Sequence, residues 1–408
     1  MKNRGNEGDQ KVNGYAYRDV LIIGNGFDLY HKLPTRYTDF LFLAKNWEYF
    51  YKKYKENRTE IEQSSPRDTM PFQVALDNGK LTFKSLDDFA DHAEVMDENK
   101  IYKFSTYLGN LWMKYFIEID YDKEKWIDFE TEIENVLVVI ESFFSEDISQ
   151  CAGRTIKAIL NPQKYKIISF LIREAGCIPV TFEQIKREQI NECIYGGAKE
   201  RLLETLRNQL DELIEAIHIY MDEFVGYIKP LYYSEQINTL KDINILNFNY
   251  TYTYKTIYRD EHFNEWHFVH GSLADNNLVL GIPDSTFDEK IDYVYFQKYF
   301  QRIQKRTGAF YLDWIPKSID GHLPSHQISI YIMGHSLGMT DKGILERFFT
   351  AEESVKNIYI YYHNQDSYEK LVIALIEMFD KEFVIDQTGK GRIQFVELKP
   401  EVKIDEYQ

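Results

Sequence analysis

Four short segments of this 408-residue chain place polar, chemically competent residues at the ends of apolar runs. Gly24-Asn25-Gly26-Phe27-Asp28 follows Val20 to Ile23, and Asn247-Phe248-Asn249-Tyr250-Thr251 closes the run from Ile243 to Phe248. His270-Gly271-Ser272 follows His267 to Val269, and Gly334-His335-Ser336-Leu337-Gly338 follows Ile328 to Met333. Glycines behind a strand let the backbone approach a pyrophosphate, and the helix that follows aims its N-terminus at the anion. The first loop is an incomplete G-x-G-x-x-G, because position 29 is Leu; a tight strand-to-helix turn explains it nearly as well. Asn249 and His270 stand where open α/β sheets place ligands. Strand alternation puts His267 on the opposite face from His270, so the two form no metal pair, and no bound metal is expected.

The last segment also fits the G-x-S-x-G nucleophile elbow, which makes Ser336 the nucleophile of a serine hydrolase. That reading needs an acid and a histidine from later strand ends. His363 is the one histidine downstream, and Asp341 falls on the presumed elbow helix, so the hydrolase ranks third among the functions considered. Asp28 and Asp341 serve equally well as site carboxylates or as helix N-caps. Asp128 and Glu130 read as acidic residues favoured at a helix start.

These residues need strands to carry them. The four apolar runs, with Ile358 to Tyr362 and a weaker Arg392 to Leu398, alternate with helical patterns such as Tyr368 to Phe379, which predicts an α/β fold with a parallel sheet. After the first strand the pattern turns helical. Trp126, Phe129, Ile133, Leu137 and Ile140 keep a 3–4 spacing, and Leu203, Leu206, Leu210, Leu213, Ile217, Tyr220 and Phe224 keep it over a longer stretch. That longer seam suits helix packing within the chain or a homo-oligomer through the insertion. Residues 55 to 100 read as loop with short elements. The expected division is a disordered leader (1–14), an α/β nucleotide-binding core (15–45 and 241–408) and a mainly helical insertion (46–240).

Composition narrows the partners. An apolar share of 44% supports a proper core, and the aromatic share of 15% reads as packing. The net charge of −17 comes without a basic stripe, which argues against direct nucleic-acid binding but leaves a small anionic nucleotide open. Cys151, Cys177 and Cys193 form no C-x-x-C pair, as expected of reduced thiols in the cytoplasm. No run reaches the roughly 18 apolar residues of a membrane span.

Taken in order, the segment Ile22 to Leu29 with His31, Leu33-Pro34-Thr35 and Tyr37 to Phe40, then Trp126 to Glu130, Asn247 to Thr251, His270 to Ser272, and Gly334 to Leu337 with Asp341, resembles the bacteriophage abortive infection AbiH family. The set is also similar, more distantly, to the Rossmann-like, sirtuin-like NAD-binding fold. That resemblance implies Asn249 and His270 beside the nicotinamide ribose, with Gly334 and Ser336 on the adenosine side. It implies a pyrophosphate on Gly24, Asn25 and Gly26, and counts Phe27, Asp28, Thr35, Gly271 and Asp341 among the cofactor-binding residues. Two departures stand out. Phe27 occupies a place usually held by a small residue and is expected to crowd or reshape the pocket, and the four-cysteine zinc module of the deacetylases is missing. The implied function is an anti-phage effector that hydrolyses NAD at the nicotinamide–ribose bond, with His270 as base and Asn249 orienting water or ribose. A nucleotide sensor that binds NAD or ADP-ribose and signals through the insertion is the non-catalytic alternative.

Overall fold

A computed structural model describes residues 17–62, 95–119, 127–228, 230, 232–258, 263–287, 290–317 and 326–404. The expected leader, Trp126 and much of the 55–100 stretch lie outside the described residues.

Six strands form one parallel sheet: β1 (Val20–Ile23), β2 (Ile243–Asn247), β3 (Phe263–Phe268), β4 (Ile328–Met333), β5 (Val355–Tyr362) and β6 (Ile393–Glu397). Their spatial order is β3-β2-β1-β4-β5-β6, with every neighbouring pair parallel. The unbroken apolar run of β1 follows from burial on both faces, and β2 is buried along its whole length with Asn244 and Asn247 among its apolar residues. Val20 and Ile22 pack on one side with Ile344, Leu345, Phe348, Leu371 and Leu375, whereas Leu21 and Ile23 pack on the other with Phe27, Tyr254 and Tyr258. Two strands begin earlier than the sequence suggests. Asn264 and Glu265 in β3, and Lys356 and Asn357 in β5, interrupt the apolar signal; Asn357 pairs with Ser329, and the other three fall at register shifts between paired residues.

Helices α1 (Asn25–Tyr30) and α2 (Tyr37–Lys45) follow β1, and α3 (Phe129–Ser142) and α4 (Ala198–Glu223) lead the helical part. The α4 seam is internal: Leu203, Leu206, Leu210, Leu213, Ile217, Tyr220 and Phe224 are all buried in one core with residues of α2 and α3. At about 1.5–3 kcal/mol for each buried aliphatic or aromatic side chain, this face is what orders the 26-residue helix. Aromatic rings fill the same core; Phe129 stacks on Tyr37 and on Phe116, each at 4.1 Å. Residues of the 278–296 segment, among them Leu280, Tyr293 and Phe296, belong to this core as well. That segment leads into α5 (Lys298–Gln304), and α6 (Lys342–Phe349) follows β4. The helical core therefore reaches back to the C-terminal edge of the sheet.

Candidate functional site

Ile23 at the end of β1 is level with Asn247 of β2 and with Met333 of β4, so the three following loops leave the sheet side by side. The strand order reverses at β1, which is the topological switch point where open α/β sheets hold ligands. The glycines here are required by loop-on-loop packing. A Cβ on Gly24 would lie 2.7 Å from the His335 Cα, and one on Gly26 would lie 2.8 Å from the Gly334 Cα. Gly334 has φ +70° and is pressed against the Phe27 amide, leaving no room for a side chain. The amides of Gly24, Gly26 and Phe27 donate to the carbonyls of Met333, Gly334 and Gly24. Close approach of two turns is thus a sufficient reason for these glycines, independent of any phosphate.

The loop after β2 is shaped by Asn247, whose Oδ1 accepts from the Asn249 amide (2.8 Å) and whose Nδ2 donates to the Thr251 carbonyl (2.9 Å). This presents the Asn249 side chain to β1, where its Nδ2 donates to the Gly24 carbonyl at 3.0 Å. Thr35 donates to Asn25 Oδ1 at 2.5 Å, fixing an otherwise exposed Asn25 at the rim. Gly271, at φ +77°, lets the chain turn sharply against Asn277 directly behind His270.

The most concentrated chemistry lies around Asp341. Its Oδ1 accepts from His270 Nε2 (3.1 Å) and from Lys298 Nζ (3.0 Å), and its Oδ2 faces His335 Nε2 at 3.4 Å. Lys298, on α5 and 1% exposed, also reaches Glu130 Oε2 at 2.8 Å. Burial alone would raise the Asp341 carboxyl; the charge of Lys298 and the bond from His270 overcome it and hold the group well below the usual carboxylate range. Burial opposes the charge on Lys298, but Asp341 and Glu130 outweigh it and keep the ammonium protonated. Burial pushes Glu130 up to about 7 against the pull of Lys298. His270 is pushed down to about 4 by burial, aided by Lys298 and opposed by Asp341.

These directions assign the protons. An ionised Asp341 only accepts, so His270 Nε2 carries the hydrogen and Nδ1 keeps its lone pair. That Nδ1 is buried and has no hydrogen-bond partner among the described residues. His335 has the same tautomer, because its Nδ1 accepts from the Leu337 amide at 2.9 Å. The dyad therefore presents a neutral, oriented imidazole base backed by a carboxylate.

Among the residues expected at the site, His270 and Asp341 meet directly, Asn249 meets Gly24, and Gly24 and Gly26 meet Gly334. Phe27 does not line the crevice: it is fully buried under the sheet against His31, Tyr254 and Tyr258, which corrects the expected crowding of the pocket. Asp28 and Asp341 are not side-chain N-caps. Gly24 holds the cap position of α1, and the Asp341 carboxylate turns away from α6 toward His270 and Lys298. Asp128 does cap α3, accepting from the Glu130 amide at 3.0 Å, whereas the Glu130 carboxylate does more than favour the helix dipole. Ser336 is exposed, the left-handed residues of its turn are Gly334 and Leu337 rather than the serine, and no described histidine accepts from its hydroxyl, so the nucleophile elbow lacks its base. His267 sits apart from His270, between Phe310 and Tyr311. Sequence reasoning missed Lys298 altogether and treated Glu130 and His335 as bystanders.

Asp28 makes a direct test of burial. Thr251 donates to its Oδ2 at 2.6 Å, yet burial pushes the carboxyl up from 3.8 to about 6. A raised carboxyl favours the folded state below its unfolded pKa, and that contribution is lost as pH rises through about 6. Asp28→Asn keeps an acceptor for Thr251 without the charge. The variant is expected to gain about 2.4 kcal/mol relative to the parent on going from pH 4 to pH 8. Urea unfolding at the two pH values measures it, and an unchanged difference would show the carboxylate to be well solvated.

Fold and site together define an α/β protein whose parallel sheet carries, at its switch point, a buried histidine–aspartate dyad tied by a lysine to a helical region. The description Bacteriophage abortive infection AbiH matches residues 20–363. The chain belongs to that family, which associates it with abortive infection, an anti-phage role. No curated protein and no solved structure matches it. No helix among the described residues is long and apolar enough to cross a membrane.

Proposed function

We propose that this AbiH-family protein acts in abortive infection by hydrolysing NAD at the nicotinamide–ribose bond. The observation that carries the reading is the His270 Nδ1: a buried, unpartnered base, backed through Nε2 by Asp341 at 3.1 Å, beside the switch point of the sheet. In the reaction the C1′–N bond breaks, and its electron pair neutralises the pyridinium as nicotinamide leaves. Water adds its oxygen to C1′ and gives a proton to His270 Nδ1. The ribose passes through an oxocarbenium-like state, which a water-excluding site with an ionised carboxylate nearby stabilises. Asn249 orients the water or the ribose hydroxyls, and the exposed Asn25 and Ser336 form the mouth on the phosphate and adenosine sides. No resident cofactor or metal is part of the proposal.

A second reading, a non-catalytic nucleotide sensor of the cytoplasm, draws support from the Glu130–Lys298 bridge, which gives the His270–Asp341 dyad a route to the helical insertion. Purified protein incubated with NAD decides between them. Nicotinamide release supports the enzyme. A rise in melting temperature with NAD or ADP-ribose but no release supports the sensor, since a ligand of the folded state stabilises it by mass action. No response to either nucleotide at millimolar concentration overturns both.

A further inference from the structure

The charge of Lys298 is divided between two parts of the fold. Its ammonium reaches Asp341 Oδ1, the same oxygen that His270 Nε2 uses, and it reaches Glu130 Oε2 on α3 of the helical region at 2.8 Å. All three distances are within hydrogen-bonding range, and the Lys298 side chain is 1% exposed, so solvent does not screen the competition. Whatever fraction of the ammonium Glu130 takes, Asp341 loses, and His270 shares its oxygen with what remains.

We propose that Lys298 is the positioning residue through which the helical region regulates the His270–Asp341 dyad, with Glu130 as the element that draws its charge off Asp341. This rests on the reading of His270 as the base of the site. With Glu130 docked and ionised, Asp341 keeps more of its negative charge for His270, and the imidazole is the stronger base. With Glu130 withdrawn or protonated, Lys298 bears fully on Asp341 and the imidazole is the weaker base. A shift of α3 then changes the chemistry of a residue on a different core, without any contact between α3 and the substrate.

The charged and titratable groups bearing on His270 are Asp341 and, across it, His335; Lys298 and Arg302 from α5; and Glu130 from α3 beyond Lys298. Lys298 and Arg302 disfavour the protonated ring, and Asp341 favours it. Removing each end of the bridge therefore acts in opposite directions. Lys298→Met should raise the His270 titration by about one pH unit, tenfold in proton affinity, and Glu130→Gln should lower it.

The test is ¹³C NMR of histidine-labelled full-length protein, with the His270 resonance assigned by its loss in His270→Gln. Because Lys298→Met leaves two buried carboxylates facing each other, Glu130→Gln/Lys298→Met is made as well; it removes one charge of each sign. The double variant should titrate at higher pH than Glu130→Gln alone. In the nicotinamide-release assay the acid limb of kcat/KM should follow the same shifts, because an unprotonated base is required. The titration does not depend on turnover, so it separates this inference from the proposed activity. If wild type releases no nicotinamide and the titrations still shift oppositely, the bridge stands and the NADase reading falls. A His270 titration that is unmoved in folded variants, or that moves in the same direction for both single variants, overturns the proposal.

Discussion

His270→Ala is expected to lower nicotinamide release by about 10²–10⁴-fold, the usual contribution of a positioned base, while the protein stays folded. Folding should survive because Asp341 keeps Lys298 at 3.0 Å and faces His335 at 3.4 Å, so its charge remains partnered. The loss should appear in kcat, since the proton moves as charge develops on the ribose. Asn249→Ala should also lose turnover, with a separate stability cost. It removes one of the two donors to the buried Gly24 carbonyl, which keeps the Phe27 amide, so the cost is that of one lost hydrogen bond, about 0.5–1.5 kcal/mol. Circular dichroism and urea unfolding keep the two effects apart. Ser336→Ala should raise KM and leave kcat nearly intact, because an exposed hydroxyl at the rim binds ground and transition states alike. The opposite ranking, with Ser336→Ala inactive and His270→Ala near wild type, would return the protein to the serine hydrolases despite the missing base.

How much of this was readable beforehand differs from residue to residue. Strand β1 was legible because burial on both faces demands a continuous apolar run, β2 and β4 because their residues are mostly apolar despite Asn244 and Ser329, and the polar residues closing the three strands marked the ligand edge of the sheet. The 3–4 rhythm of α4 was legible for the same reason, although only the structure shows its seam filled from within the chain. Strand order was not legible, since it depends on which strands pair after long crossovers, and so the meeting of Gly24 and Gly26 with Gly334 could not be foreseen. Lys298 lies in Gln297-Lys298-Tyr299-Phe300-Gln301-Arg302, a pattern that reads as an ordinary solvated helix. Nothing local distinguishes a lysine facing solvent from one held between Glu130 and Asp341. Glu130 did carry a signal, as the last residue of the Trp126 to Glu130 block, but its place in the first turn of α3 offered a simpler explanation.

The largest stability effect is expected at Asp341, which either caps α6 or balances the buried cations. The two roles differ in magnitude. Losing a helix cap costs about 1 kcal/mol. Removing one partner of a buried, hydrogen-bonded charge pair costs about 3–5 kcal/mol, because the other charge stays behind. The carboxylate makes no bond to the start of α6 and accepts from His270 and Lys298, so Asp341→Ala is expected in the higher range by urea unfolding at pH 7. Adding Lys298→Met should recover part of that loss, since it removes the stranded ammonium and leaves Glu130, already raised to about 7 by burial, free to take up a proton. The pH dependence gives the same assignment independently. Lys298 and His270 hold Asp341 well below its ordinary value of 3.8 against the effect of burial, so its contribution is complete above that value and is lost as pH falls further. The deficit of Asp341→Ala should therefore still be present at pH 5, below the Glu130 titration near 7, and shrink in stronger acid. A loss near 1 kcal/mol that Lys298→Met does not relieve would make Asp341 a capping residue and leave His270 without its carboxylate.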